Sequence, residues 1–285
     1  MCRGKIPRRM GRKGAGRPGT GRTLLCLLLT LATLLTTISC GGRRAGTAGR
    51  EEGAPGVGEE EGAFSFLVCG DPHGRTDLLD RIVSDLREGE FLVVVGDLGS
   101  GRGEEELRRM KGFLDAKGIR YHVVPGDNDQ PGGDASAFRR VFGPTRYSMD
   151  VGSTHLVFIN DAVPGVGIPP EDLEWLEGDL AGTRGRRVVA FAHVPPGAPV
   201  DISRGFREGE SESHRRLKEL LSGVGTEVVY SGHLHAYMLY STGPPRVVVT
   251  GGAGARPHVS PEAGGFHHYL RVTVAREITE EVIRL

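Results

Sequence analysis

Carboxylate and imidazole side chains follow five apolar runs of the chain. The segments read GDPHG at 70–74, GDLGS at 96–100, GDNDQ at 126–130, AHVPPG at 192–197 and SGHLHAY at 231–237. One such segment alone would indicate a turn or a helix cap, but five in succession indicate a shared site. Mixed carboxylate and imidazole donors suit Mn, Fe or Zn, and two such ions together can bind a phosphoryl group. The candidate site residues are Asp71, His73, Asp97, Asp127, Asn128, Asp129, His193, His233 and His235.

The spacing within these segments also indicates a common site. Residues two apart in an extended chain point the same way, so Asp71 and His73 can face one centre, as can His233 and His235. In four of the segments a glycine directly precedes the first candidate residue, which suits a close turn around a bound group. These residues are Asp71, Asp97, Asp127 and His233. We therefore expect these side chains to meet at metal ions.

Elements that could position these residues alternate along the chain. Apolar runs at 64–69, 91–96 and 120–126 have the length of strands, and the segments 75–88 and 104–118 have apolar residues at helical spacing. Alternating strands and helices predict an α/β sheet with helices on both faces. Such sheets bind ligands at the carboxyl ends of their strands, where the candidate residues stand.

The ordered segments resemble the motif series of the calcineurin-like metallophosphoesterases, which reads D-x-H, G-D, G-N-H-[DE], H and G-H-x-H. The resemblance covers about residues 64–250. It implies an α/β fold, a four-layer sandwich of two mixed β-sheets flanked by helices. The later apolar runs at 245–252, 267–275 and 280–285 would fit the second sheet.

The resemblance also implies a reaction and a ligand set. The reaction would be hydrolysis of phosphate mono- or diesters by attack of a metal-bridging hydroxide, with two divalent or mixed-valence ions of Mn, Fe or Zn. One metal would be held by Asp71, His73, Asp97 and His235, and Asp97 would bridge to a second metal completed by Asp127, His193 and His233.

The third motif departs from the family pattern at two positions. Asp127 stands where the family has asparagine, and its extra negative charge predicts a higher pKa for the bridging water or a preference for a trivalent ion such as Fe(III). Asn128 stands where the family has a histidine that assists the leaving group, and an amide cannot supply a proton. General acid catalysis contributes about 10²- to 10⁴-fold to rate, so this change bears directly on activity.

Three consequences of Asn128 stay open at the level of sequence. The first is that the substrate has a leaving group that needs no acid, and the second is that activity is weak. The third is that another residue supplies the proton. The candidates for that proton are Asp129, His155, His258, His267 and His268. A different reading of Asn128 is a tethered, non-catalytic binding module that keeps the metallophosphoesterase fold.

The N-terminal region predicts export. Residues 1–39 contain eight basic residues and no acid, and the apolar run 24–38 is fifteen residues long, short of the roughly 20 that span a bilayer. The step into Cys40 resembles the lipobox of bacterial lipoproteins, which implies a lipidated Cys40; an uncleaved signal anchor and an ordinary cleaved signal are the alternatives. We expect residues 1–40 to be a signal or anchor, 41–63 a disordered Gly/Glu-rich linker and 64–285 a phosphoesterase domain on the extracytoplasmic side of the membrane.

Charge limits the partners of the predicted domain. Without the basic N-terminal region the chain has 28 basic and 36 acidic residues, a net charge of about −8. No bulk basic field is available to bind a polyanion, so we expect no nucleic-acid binding. The expected partners are a phosphate ester, which bound metal ions would attract, and the membrane through the N-terminal anchor.

Overall fold

The computed structural model describes residues 62–198 and 211–285. The predicted signal or anchor with Cys40, and the predicted linker up to residue 61, lie outside the described residues. The described helices are α1 (Thr76–Ser84), α2 (Glu104–Ala116), α3 (Ser136–Phe142), α4 (Pro170–Ala181) and α5 (Glu212–Gly223). The described strands are β1 (Phe64–Cys69), β2 (Leu92–Val95), β3 (Tyr121–Val124), β4 (Tyr147–Val151), β5 (Thr154–Phe158), β6 (Arg187–Phe191), β7 (Val228–Ser231), β8 (Tyr237–Ser241), β9 (Arg246–Thr250), β10 (His268–Val274) and β11 (Ile278–Arg284).

The strands form two mixed sheets. The first has the order β11-β10-β1-β2-β3, in which β1, β2 and β3 are parallel and β10 is antiparallel to both of its neighbours. The second has the order β4-β5-β6-β7-β9-β8, with a parallel centre from β5 to β9 and an antiparallel strand at each edge. The predicted fold of two mixed sheets flanked by helices is confirmed.

Successive side chains of each strand point to opposite faces of its sheet, so each sheet packs against the other sheet on one face and against helices on the other. Phe66 and Val68 of β1 pack against Phe191 and Tyr230 of the second sheet, and all four side chains are fully buried. Leu67 of β1 points the other way, into a core shared with α1, α2 and α3. The helices α4 and α5 cover the outer face of the second sheet in the same way.

Two expectations about the sheets were wrong. Helices do not cover both faces of one sheet, because the inner face of each sheet packs against the other sheet. Of the three late apolar runs, β9 lies in the second sheet as predicted, but β10 and β11 belong to the first. Strand β10 pairs with β1 from Phe64↔Val274 to Val68↔Leu270, a contact between segments about 200 residues apart that local pattern does not encode.

The helices are amphipathic rather than uniformly apolar. In α1 the residues Leu78, Leu79, Ile82 and Val83 are buried and follow helical spacing, while the remaining face is polar. Within the described part of the chain, no helix has both the length and the apolar character needed to cross a bilayer. These helices cover the sheets and hold the loops between strand ends in place.

Candidate metal centre

The predicted site residues all follow strand ends. Asp71 and His73 come after β1, Asp97 after β2 and Asp127 after β3 in the first sheet. In the second sheet, His193 follows β6, and His233 and His235 follow β7. The structure brings together all seven residues that the resemblance implies as ligands, in two groups.

The first group consists of Asp71, His73, Asp97 and His235. One ligand atom from each lies within 4.8 Å of those of the others. His73 Nε2 is 3.1 Å from Asp97 Oδ2, and His235 Nε2 is 3.3 Å from Asp71 Oδ1. Metal bonds of about 2.0–2.2 Å place neighbouring tetrahedral ligands roughly 3.4 Å apart, so this spacing suits a single ion.

The second group consists of Asp127, His193 and His233. His193 Nε2 and His233 Nδ1 lie 3.1 Å and 3.2 Å from Asp127 Oδ1. His193 Nε2 is also 3.5 Å from Asp97 Oδ1, so the two groups adjoin at Asp97. An aspartate at that position has one oxygen for each group, as a bridging ligand requires.

Backbone conformation distinguishes four of these seven residues. Asp71, His73, Asp97 and His233 have φ of 61°, 45°, 53° and 65°, and among the described residues they are the non-glycine ones with positive φ. Such conformations cost of order 1–3 kcal/mol each and persist where the surroundings enforce them. The strain is concentrated where the side chains must converge.

Two of the glycines in the motifs are needed for close packing against the ligands. A Cβ on Gly126 would lie 2.0 Å from Asp97 Oδ1, and one on Gly232 would lie 2.4 Å from Asp71 Oδ2. No side chain fits at such distances. The glycines before Asp127 and His233 therefore leave room for carboxylates from neighbouring loops.

Backbone carbonyls fix the tautomers of two histidine ligands. His193 Nδ1 lies 2.9 Å from the Val95 carbonyl oxygen, and His235 Nδ1 lies 2.9 Å from that of Arg256. Because a carbonyl oxygen can only accept, each Nδ1 carries a proton, so the neutral form of each ring has its lone pair on Nε2, which faces the cluster. This is the arrangement expected of imidazoles that bind metal ions.

Burial and crowding of the carboxylates concentrate negative charge in the cluster. Asp71, Asp97 and His193 are almost fully buried. Burial opposes ionisation of Asp127, but the imidazoles of His193 and His233 hold its pKa well below the usual range. Burial likewise disfavours a charged His193, but Asp97 and Asp127 raise its pKa well above the ordinary value. Both shifts have the direction expected of a cluster that favours positive charge.

One side of the cluster is open to solvent. The side chains of His73 and Asp127 are 22% and 28% exposed, whereas the other ligands are more deeply buried. A small anion can therefore reach the cluster from this side.

Asn128 lies beside the cluster. Its backbone N–H donates to Asp97 Oδ1 at 2.9 Å, and its side-chain Nδ2 donates to Asp97 Oδ2 at 2.7 Å. The residue is half-buried, as is Asp127 beside it. The position suits hydrogen bonding to a bound substrate.

Asp129 is engaged by backbone groups. It is 1% exposed, and its oxygens accept N–H groups from Leu98 at 3.1 Å, Gly99 at 2.8 Å and Gly126 at 3.0 Å. Burial and the nearby Asp97 raise its pKa to about 7, against the effect of these three donors. Its contacts join the loops that follow β2 and β3, and its part as a proton source stays a prediction.

The four histidines considered as proton donors lie in different environments. The ring nitrogens of His155 are 2.9 Å from carboxylate oxygens of Asp150 and Asp179, outside the cluster. His267 contacts the Gly252 carbonyl, and His268 is fully buried.

His258 is the one of these four that the structure places against a ligand. Its ring stacks on His235 with centroids 3.9 Å apart, and its Nδ1 accepts the His235 backbone N–H at 3.2 Å. It therefore supports the loop that carries the last metal-binding motif.

Asp161 is a residue of this region that the sequence interpretation missed. It is fully buried and accepts the backbone N–H groups of His193 at 2.8 Å and Val194 at 3.2 Å. Behind it, His214 Nε2 of α5 lies 3.5 Å from Asp161 Oδ2, and His214 Nδ1 lies 2.7 Å from Ser211 Oγ. Asp161 follows β5 as the ligands follow their strands, a signal that could have been found had β5 been recognised.

Comparison with known proteins agrees with the family that the motif series resembles. The family model for calcineurin-like phosphoesterases matches residues 64–237. Purple acid phosphatase 22 of Arabidopsis thaliana is 35% identical over 92 residues, which cover 32% of this chain and 21% of that protein. A protein of Psychrobacter sp. (strain PRwf-1), named Probable cyclic nucleotide phosphodiesterase, is 28% identical over 143 residues, 45% of this chain and 39% of its own.

A solved structure extends the likeness over more of the chain. A dimetal phosphatase from Danio rerio matches with a TM-score of 0.56 at 15% identity, covering 77% of this chain and 95% of its own. At that identity the likeness concerns the fold alone. The chain spans less than two-fifths of the length of either curated relative, but the family model covers more than half of the chain. The chain belongs to the calcineurin-like phosphoesterase family.

Proposed function

We propose that the domain hydrolyses phosphate mono- or diesters with two divalent or mixed-valence metal ions held by the seven-residue cluster. The observation that carries the proposal is the convergence of seven donors in two groups that adjoin at Asp97. The names of the relatives, a phosphatase and a phosphodiesterase, support both ester classes. Mn, Fe and Zn suit the mixed carboxylate and imidazole donors.

The chemistry divides between the ions and the protein. Bound ions would neutralise phosphate charge and activate water, which an acidic domain cannot do with its own side chains. Asp71, His73, Asp97 and His235 would hold one ion, and Asp127, His193 and His233, with Asp97, the other.

Asn128 determines what the protein adds at the leaving oxygen. Its Nδ2 donates one hydrogen bond to Asp97 Oδ2, and the second N–H of the amide can orient an ester oxygen, but the amide does not release a proton at neutral pH. We therefore expect esters with good leaving groups to be the better substrates.

Metal content and turnover of the purified protein test the proposal together. We expect about two bound ions after reconstitution with Mn²⁺ and hydrolysis of p-nitrophenyl phosphate or bis(p-nitrophenyl) phosphate. Asp97→Asn should abolish both properties, whereas Asp115→Asn, an exposed residue of α2, should change neither. A protein that binds two ions but hydrolyses neither ester would favour the non-catalytic module instead.

We also propose that Cys40 anchors the chain to the membrane on the extracytoplasmic side. Support comes from the basic and apolar residues before Cys40 and from the lipobox-like step into it. For the full chain made in a bacterium, Cys40→Ser should move the protein from the membrane to the soluble fraction, and Cys26→Ser should not. Retention of the Cys40→Ser protein in the membrane would indicate an uncleaved anchor, and a soluble wild type would indicate a cleaved signal.

A further inference from the structure

A cavity of about 180 Å³ lies beside the metal centre. Its walls are the glycine-rich loop 99–103, the first turn of α2, residues 128–131 and the first turn of α3. No metal ligand lines this cavity. It is therefore a space next to the cluster and separate from the sites of the ions.

Asn128 forms the wall between the cavity and the metal centre. Its Nδ2 donates to Asp97 Oδ2 at 2.7 Å on the metal side, and the same residue lines the cavity. Its Oδ1 lies 3.4 Å from the position a Cβ on Gly101 would take, so the glycine loop closes over the amide without a side chain. Asn128 therefore lies between the cavity and Asp97, and a group held in the cavity would neighbour the metal centre through this residue.

The volume limits what the cavity holds. A cavity of roughly 150 Å³ accommodates benzene, so about 180 Å³ takes a group of about six to eight non-hydrogen atoms. Ala137 of α3 contributes only a methyl group to the wall. A larger side chain at that position would occupy the space.

The charged residues of the lining are mostly acidic. Glu104, Glu106, Asp129 and Asp134 line it together with one cation, Arg140. Glu104 pairs with both Arg140 and Arg108, and Glu106 lies 3.6 Å from Arg109. Asp129 accepts three backbone N–H groups, so Asp134 is the lining carboxylate that contributes most of the uncompensated negative charge. The Arg140 guanidinium is itself engaged, since it donates to Glu104 Oε2 at 2.7 Å. An additional anionic group on the bound molecule would meet repulsion, whereas an uncharged or cationic one would not.

We propose that this cavity receives the alcohol part of the phosphate ester and, among esters of similar leaving-group pKa, selects small uncharged or cationic alcohols over those with a second anionic group. The inference rests on the proposed function, because it takes the phosphate to be bound at the metal ions. It names the substrate class that the sequence left open.

Binding of non-hydrolysable phosphonates tests the proposal without turnover. The probes are methylphosphonate, n-propylphosphonate, 2-aminoethylphosphonate and phosphonoacetate, titrated into the Mn²⁺-loaded protein by calorimetry. Ala137→Leu should weaken the binding of n-propylphosphonate at least tenfold relative to the binding of methylphosphonate. The control Ala116→Leu, exposed at the other end of α2, should leave that ratio unchanged.

A second variant tests the charge selection and does not depend on the packing of Ala137. Asp134 accepts hydrogen bonds from Ser136 N and Oγ at 2.8 Å and 2.9 Å, contacts that an asparagine can replace. Asp134→Asn should reduce the preference for 2-aminoethylphosphonate over phosphonoacetate by two- to fivefold. Asp115→Asn, the same charge change at the far end of α2, should not.

The outcomes separate this proposal from the proposed function. Unchanged ratios in either Ala137→Leu or Asp134→Asn would overturn the assignment of the cavity. If Ala137→Leu does not fold, as judged by its melting temperature, Asp134→Asn decides. Ratios that change as expected, with no hydrolysis of the corresponding phosphate esters, would support the cavity and overturn the proposed function.

Discussion

Two residues at the end of β3 give this metal centre its individual character. Asp127 contacts both histidines of the second ligand group, and Asn128 contacts Asp97, where the two groups adjoin. Both side chains are half-buried, at the side of the cluster that solvent reaches. Substitutions here can change chemistry while leaving the buried ligands in place.

The extra charge of Asp127 should affect the choice of metal. Asp127→Asn keeps an oxygen donor but removes one negative charge, which weakens attraction for a trivalent ion more than for a divalent one. After reconstitution with equal Fe(III) and Zn²⁺, we expect the iron share, measured by mass spectrometry of the metals, to fall severalfold. Asp134→Asn, outside the cluster, serves as the charge control, and an iron share equal to wild type in Asp127→Asn would contradict the prediction.

The amide of Asn128 should make activity depend on the leaving group. Asn128→His introduces a group that can donate a proton, so kcat for alkyl phosphates should rise about 10- to 100-fold, within the usual range of acid catalysis. For p-nitrophenyl phosphate, whose leaving group needs little protonation, the change should be small. Asn128→Gln keeps a donor without an acid and should not reproduce the gain.

A series of leaving groups provides the corresponding test in the wild type. We expect log(kcat) to fall steeply as the leaving-group pKa rises, and the slope to flatten in Asn128→His. A flat wild-type slope would mean that another residue supplies the proton. His258, stacked on His235, would then be the first to substitute.

At the scale of elements, the loops after the strands are held by buried carboxylates that bind backbone N–H groups. Asp129 joins the loops after β2 and β3 through three such bonds. Asp161, after β5, holds the start of the loop after β6 through His193 and Val194. The position of a ligand therefore depends on an element beside its own strand.

Asp161→Ala should lower metal binding through the position of His193. The substitution leaves two buried N–H groups unpaired, at a cost of about 1–3 kcal/mol for each group. Asp179→Ala is the matched control, because Asp179 accepts hydrogen bonds from Ser148 and contacts His155 outside the cluster. We expect both variants to melt at lower temperature, but only Asp161→Ala to bind fewer than two ions. Equal metal content in the two variants would show that Asp161 stabilises the fold alone.

The difference between local and distant pairing explains which elements the sequence predicts. Strands β1, β2 and β3 combine apolar runs with polar ends, so both their existence and the ligands after them follow from the sequence. The hairpin β4-β5 has mixed composition and pairs in the second sheet with β6, and β10 pairs with β1 across most of the chain. Asp161 was missed for this reason, since its strand was not recognised.

The metal centre also has some features that the sequence predicts and others that it does not. The order and types of the seven ligands are readable in the sequence, because each follows its own strand. The tautomers of His193 and His235 depend on carbonyls of Val95 and Arg256 from other segments, and only coordinates reveal them. The cavity beside Asn128 likewise forms where α2 and α3 meet, which no motif records.

At the scale of the whole molecule, the core that holds the fold is separate from the metal centre. Phe66 packs edge-on against Phe191 and Tyr230, with ring centroids 5.6 Å and 6.0 Å apart, in the layer between the sheets. None of these side chains is a candidate ligand. Burial between the sheets therefore supplies stability that does not depend on metal.

Removal of metal should weaken the fold without abolishing it. Ligand binding stabilises a protein by about 2.7 kcal/mol per site at 100 times the dissociation constant, and 1 kcal/mol shifts the melting temperature of a domain of this size by about 2–4 °C. We therefore expect EDTA to lower the melting temperature by about 5–10 °C for each ion lost. Near-ultraviolet circular dichroism should persist, because Phe66 and Tyr230 stay packed.

Two variants give this prediction its controls. In His233→Ala the second ligand group is incomplete, so EDTA should lower the melting temperature by less than in the wild type. Phe66→Ala removes a buried ring from the layer between the sheets, so it should lower the free energy of unfolding by about 3–5 kcal/mol. The effect of EDTA on its melting temperature should equal that in the wild type. Loss of the near-ultraviolet signal on chelation of the wild type would mean that the ions hold the two sheets together, because the inner layer would then not be sufficient to keep them packed.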